Sequence, residues 1–377
     1  MGLLRFLLAL SVVVVHAGGG QKLFGKIDFV GGNAAVQSFY VISGFYMALV
    51  LNEKYPKGAA GYRTFVTSRF IRLYPAIWFV LLATVGLAIV GVIKHPALHR
   101  WELYAAGLSL PAKALFAVSQ FTLVGQDAVW FLGYVPETLD VYFARTFQGT
   151  PHPAMEFLFV PQAWTLGVEM LFYLLAPFIV RSLPRIGVMF VLSWGLRLTL
   201  VKLGFRDDPW NYRFFPNELG IFLMGSAGYH AYAYFRRAKI DTTGIAQVAL
   251  GVVLLLSVFL MKLPIPARGL LMVVATAAAV PFIFQLTKRN AIDRWIGELS
   301  YPIYITHVTV KLVMQTHNWF INPTIPLEPE TGFGSPYPTA LIAFTLLASI
   351  AVMFCIETPV EHFRQRLVTR RTASPTP

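Results

Sequence analysis

Arg5 and His16 stand eleven residues apart near the start of the chain, one able to hold an anion and the other to move a proton. On a helix turning about 100° per residue they differ by roughly 20° in azimuth and about 16 Å in height, so they share a face. Histidine exchanges protons near neutral pH, and ionisable groups inside apolar segments are costly and tend to face interior cavities. His16 is therefore a candidate general base with Arg5 as its cationic companion. The spacing fits equally well an Arg5 that snorkels as a topological anchor, with His16 at the opposite interface.

TSRFIRLYP sets Arg69 and Arg72 at i and i+3, with Arg63 two turns before Arg69. Guanidiniums on neighbouring positions of one helix face can grip phosphate oxygens through paired donors, or meet lipid head groups. In WTLGVEMLFYLLAP, Glu169 lies about one turn into an apolar run, where a carboxylate requires a hydrogen-bonding or cationic partner. Its readings are a structural ion pair, a pore-facing residue, or a group that orients a catalytic imidazole. In SFYVISGFYMA, Ser43 and Gly44 break an aromatic run, a notch that serves close helix packing or a substrate passage. GELSYPIYITHVTV brings Tyr301, Tyr304 and His307 into one segment, a pattern more common in packing than in reaction. There is no P-loop, GxSxG, HExxH or dinucleotide glycine pattern, which argues against ATP-driven transport, serine hydrolysis and zinc chemistry. Proton transfer beside bound phosphates is what these residues leave.

The elements that must position them are membrane helices. Of 377 residues, 56% are apolar, 15% aromatic and only 13% charged, and the mean hydropathy is +0.61. The apolar residues fall into stretches of about 17 to 22, the length that crosses roughly 30 Å of hydrocarbon. About ten spans are predicted: Leu3 to Ala17, Ala34 to Leu51, Leu73 to Ile93, Trp164 to Val180, Ile186 to Leu203, Pro216 to Phe235, Ile245 to Met261, Gly269 to Leu286, Gly297 to Met314 and Pro338 to Ile356. The segment Lys94 to Gln162 is too apolar for an exposed loop, yet a single crossing there would invert every later span. It is expected to re-enter the bundle without spanning, two short crossings being the alternative. The fold class is thus all-α, a polytopic transmembrane bundle with a re-entrant or short-helix segment.

A net charge of +13 invites nucleic acid as a partner, but the basic residues sit at segment ends, as the positive-inside rule requires. That distribution places both termini in the cytoplasm. Met1 to Arg5, the apolar run and Ala17 to Gly20 have the outline of a cleaved secretory signal. The histidine closing the run, and the lack of a soluble domain to export, favour its retention as the first helix. Cys355, the single cysteine, lies in an apolar segment and reads as a packing residue, so neither disulfides nor a cysteine metal site are expected.

In order along the chain, Arg5 with His16, SFYVISGF, Arg69 and Arg72 before LYP, WTLGVE, ELSYPIYITH and the IETP turn resemble the membrane-bound acyltransferase 3 family. The resemblance runs from about Leu3 to Arg366, giving residues 1–366 as the transmembrane domain and 367–377 as a short cytoplasmic tail. It implies transfer of an acyl group, most often acetyl from acetyl-CoA, to a hydroxyl of an envelope, exported or lipid-linked carbohydrate at the inner membrane, without a metal. His16 is then the reactive histidine, with Arg5 and Glu169 as catalytic companions. Arg69, Arg72, Arg63 and Ser43 form the expected donor-binding set. Membrane lipids and glycan-synthesis proteins are the further expected partners. Many relatives carry an acid where this chain has Gln37, so that acid's role does not transfer. Many also append a soluble esterase-like domain; here the reaction is expected to be completed by the membrane domain or a separate partner. Competing readings are a secondary transporter or flippase of a glycan or small solute, with Arg5, His16 and Glu169 as its pathway, and a non-catalytic assembly subunit.

Overall fold

The computed structural model describes residues 1–17, 29–262, 267–320 and 337–373. Helices dominate: α1 Gly2–His16, α2 Gly32–Glu53, α3 Ala59–Ile89, α4 Pro96–Tyr104, α5 Leu110–Thr122, α6 Trp164–Ile179, α7 Leu183–Lys202, α8 Phe215–Arg237, α9 Thr243–Phe259, α10 Arg268–Thr287, α11 Ala291–Glu298, α12 Ser300–Thr316, α13 Tyr337–Val352 and α14 Thr358–Ala373. The all-α expectation holds, with one small antiparallel hairpin, β1 Leu132–Tyr134 and β2 Val141–Phe143.

The number of spans is not confirmed. Among the described residues six helical stretches are long and apolar enough to cross a membrane: Gly32–Glu53, Ala59–Ile89, Pro161–Ile179, Leu183–Lys202, Arg268–Thr287 and Tyr337–Thr369. α1 and α9 are apolar but only 15 and 17 residues long. The run expected from Gly297 to Met314 breaks at Leu299 into α11 and α12, because WIGE closes a short helix whose start is capped by the Asn290 side chain.

α3 starts fourteen residues before the expected span, at Ala59 rather than Leu73. Its 31 residues extend about 46 Å, so Arg63, Arg69 and Arg72 occupy helical positions on its first half. In the 94–162 segment, α4 and α5 have 9 and 13 residues, too short to cross. They fold with the hairpin over a small core of their own around Phe116, Tyr134 and Phe157. Trp101 donates to Phe157 O at 3.0 Å and His95 Nε2 to Phe159 O at 2.9 Å, tying the two ends of this segment together ahead of α6.

Two glycines let α2 and α8 touch backbone to backbone. A Cβ on Gly44 would lie 1.9 Å from Phe222 O, and one on Gly225 would lie 1.8 Å from Val41 O. The notch beside Ser43 is therefore a packing device on one side. Cys355 corrects its expectation: it is exposed, on a π-turn, Met353–Glu357, that joins α13 to α14. α14 runs on through Ala373, so the boundary drawn at residue 366 falls inside a helix. Gly18 to Gly20 of the signal-like stretch, and residues 374–377 of the expected tail, lie outside the described residues.

Candidate active site

α1 is fixed at its start by Asp293 of α11, whose carboxylate accepts from Gly2 N at 2.8 Å and Leu3 N at 2.9 Å. A negative group at a helix N-terminus satisfies its free N–H groups and its dipole. Arg5, one turn further, points into a cavity of about 290 Å³ between α1, α2, α3, α6, α12 and α14. The same cavity is lined by Ser43, Arg69, Arg72, Glu169, Tyr304 and Arg364. Of the seven residues expected at the site, five thus meet around one space: Arg5, Ser43, Arg69, Arg72 and Glu169.

Glu169 accepts from Ser43 Oγ at 2.6 Å and Tyr173 OH at 2.5 Å, two hydroxyls and no cation. Arg5 and Arg69 make no ion pair and no side-chain hydrogen bond among the described residues, although Arg69 is only 8% exposed and its Nε is buried unpaired. Arg69 does lie over the Phe65 ring at 5.6 Å. Four guanidiniums against one lining carboxylate make the cavity wall predominantly cationic.

His16 and Arg63 lie elsewhere. Arg63 is exposed, outside the cavity lining. His16 closes α1 at the opposite end from Arg5 and does not line the cavity. Its ring meets that of His307 edge-on, centroids 4.8 Å apart, and His307 in turn lies 5.9 Å from the Tyr304 ring in the cavity wall. His16 Nδ1 is 2.8 Å from Val12 O and His307 Nδ1 is 2.7 Å from Tyr304 O. A carbonyl only accepts, so each Nδ1 carries the proton and each Nε2 of the neutral ring is a bare lone pair. In His307 that lone pair is buried with no partner.

A model of the acyltransferase 3 domain matches residues 1–357. The chain belongs to the acyltransferase 3 family. Proteins carrying O-acetyltransferase as a provisional name in Staphylococcus aureus strains COL, MSSA476 and N315 are each 22% identical over 368 residues, covering 86% of this chain. They are covered over 52% of their own length, so the chain spans about half of the curated relatives it matches. No solved structure matches it. The match over residues 1–357 identifies an acyltransferase domain, and the relatives' provisional names point to O-acyl transfer rather than to transport or assembly.

For an acyltransferase 3 protein, three features of this site escaped the sequence reading. Tyr173 reaches Glu169 from one turn further along α6, a spacing that was legible but carried no distinguishing pattern. Arg364 enters from α14, nearly three hundred residues from Arg72, and nothing in its local sequence marks it. At Gln37, where the family resemblance implied an acid, the side-chain amide donates to both oxygens of Glu218 at 3.1 and 3.2 Å. Glu218 is fully buried on α8 and pairs with Arg197 of α7 at 2.6 Å. A carboxylate therefore does stand beside position 37, supplied by another helix.

Proposed function

We propose that this acyltransferase moves acetyl from acetyl-CoA to a hydroxyl of an envelope, exported or lipid-linked carbohydrate, at the inner membrane with both termini cytoplasmic. The observation that carries this reading is the cavity with Arg5, Arg69, Arg72 and Arg364 in its wall, Arg5 and Arg69 having no ion pair among the described residues and Arg69 Nε being buried unpaired. A buried unpaired cation is expensive, and a polyanionic ligand that pairs it recovers that cost. At about 290 Å³ the space suits the thiol arm of acetyl-CoA, with the phosphates at the arginines.

The acceptor is assigned to the other end of α1, at His16. The bare Nε2 of His16 takes the proton from the acceptor hydroxyl as its oxygen attacks the thioester carbonyl. The new O–C bond forms, the C–S bond breaks, and the proton passes from His16 to the departing sulfur. If His16 itself carries the acyl group, the same nitrogen attacks first and the hydroxyl second. Arg5 offsets negative charge on the donor, and Glu169 orients donor groups through Ser43. Tyr304 and His307 lie between cavity and base, so donor and acceptor approach from opposite ends of the bundle.

His16→Ala tests this at matched protein level. Acetylated surface glycan, read by mass and NMR comparison, should fall at least a hundredfold. Coenzyme A binding should change little, because the imidazole lies outside the cavity. Undiminished product would remove His16 from the reaction, and a cysteine-accessibility map that opens position 16 only to the cytoplasm would contradict approach from two ends.

A further inference from the structure

One carboxylate holds two arginines of the donor cavity at once. Glu361 pairs in bidentate fashion with Arg364, one turn along α14, at 2.5 Å from Nη2 and 2.7 Å from Nε. It also lies 3.4 Å from Nη1 of Arg72 on α3. Arg364 is 8% exposed and lines the cavity, and its Nη1 donates to the buried Ser68 Oγ at 2.7 Å. The fork that receives two carboxylate oxygens receives two phosphate oxygens equally well. Glu361 itself does not line the cavity, and 27% of its side chain is exposed, so it has water to turn into when another anion takes its place.

We propose that Arg364 belongs to the donor site and that Glu361 is an internal anion, occupying Arg364 and Arg72 until a phosphate of the acyl donor displaces it. This rests on the donor reading above and extends it to α14. Each binding event must then break the Glu361 contacts, so the apparent affinity is lowered by the fraction of molecules in which they are closed. The displaced carboxylate also frees α14 from α3 at that point, which couples donor occupancy to the helix that follows the last apolar run.

The test is coenzyme A binding to the full chain in detergent, measured by calorimetry on wild type, Arg364→Gln, Arg364→Lys, Glu361→Gln and Arg366→Gln. Arg366 is an exposed cation on the same helix, outside the cavity lining. Arg364→Gln should weaken binding about tenfold or more. Lysine should restore only part of it, because it keeps the charge and loses the fork. Glu361→Gln should tighten binding several-fold, and Arg366→Gln should leave it unchanged. A wild type that binds while Arg364→Gln binds as tightly overturns the inference and leaves the donor reading standing; a wild type that does not bind coenzyme A overturns the donor reading itself. If Arg364→Gln fails to fold because Ser68 loses its partner, Glu361→Gln decides: unchanged or weakened affinity refutes the internal anion.

Discussion

Glu169 is held by hydroxyls alone. Among the described residues Ser43 and Tyr173 donate to the same oxygen, and no guanidinium closes on the carboxylate although several share its cavity. Two neutral donors orient the carboxyl group without tying it to a cation of the wall. Ser43→Ala and Tyr173→Phe each remove one donor at a cost of about 1 to 2 kcal/mol, which corresponds to roughly tenfold in transfer rate if the orientation of Glu169 matters in the transition state. The pair should be non-additive, since the surviving donor can hold Glu169 alone. Steady-state kcat/KM for the two single variants and the double variant checks this, and strictly multiplicative losses would show that the hydroxyls act independently. His16 and His307 are held differently, each hydrogen-bonded through Nδ1 to a carbonyl of its own helix and set edge-on against the other's ring.

At the scale of elements, the site depends on how closely α2 approaches α8. Ser43 reaches Glu169 from one face of α2, while its neighbour Gly44 presses against Phe222 O on α8, and Gly225 presses back against Val41 O. Gly44→Ala places a methyl where a backbone oxygen already stands, so the helices must part. Overpacking of this kind costs about 1 to 3 kcal/mol. A fall in thermal midpoint together with weaker coenzyme A binding is the expected signature, the second because α2 carries Ser43 into the cavity. Arg366→Ala, on an exposed face of α14, should change neither. The break at Leu299 matters in a similar way: α11 supplies Asp293 to hold the start of α1, and α12 supplies Tyr304 and His307, so two consecutive helices serve opposite ends of α1.

At the scale of the molecule, the 94–162 segment has a small core of its own and also packs into the main core, and its charges predict how it responds to pH. Burial raises the Asp127 carboxyl from 3.8 to about 6. A carboxyl raised on folding favours the folded state fully below its unfolded value and loses that contribution as pH rises towards about 6. Burial lowers His95, which donates to Phe159 O and accepts from Ala97 N, so its contribution is lost in the opposite direction, as pH falls below about 6.5. Asp127→Asn should therefore stabilise the protein above about pH 6 by on the order of 2 to 3 kcal/mol, with little effect near pH 4. Thermal melts of variant and wild type across pH 4 to 8 check this. A constant offset over that range would place the effect outside the titration of Asp127.

The sequence by itself determined that the chain is helical and apolar, where most helices lie, and that Arg5, Ser43, Arg69, Arg72 and Glu169 were worth watching. Those facts are local: hydropathy over a dozen or more residues and the 3.6-residue period need no knowledge of neighbours. Family resemblance was legible for the same reason, since it rests on ordered short motifs. Which helices are long enough to cross, and where Gly297 to Met314 divides, depended on caps and on contacts that hydropathy does not record. Only the tertiary structure decided that five of the seven expected residues share a cavity, that Arg63 stands outside it, and that His16 meets His307 beyond its wall. Arg364 and Glu218 became visible only there as well, because they act on residues 296 and 181 positions away in the chain. A shared helix face, as for Arg5 and His16, fixes direction but not depth, and about 16 Å of height was enough to leave Arg5 in the cavity wall and His16 outside it.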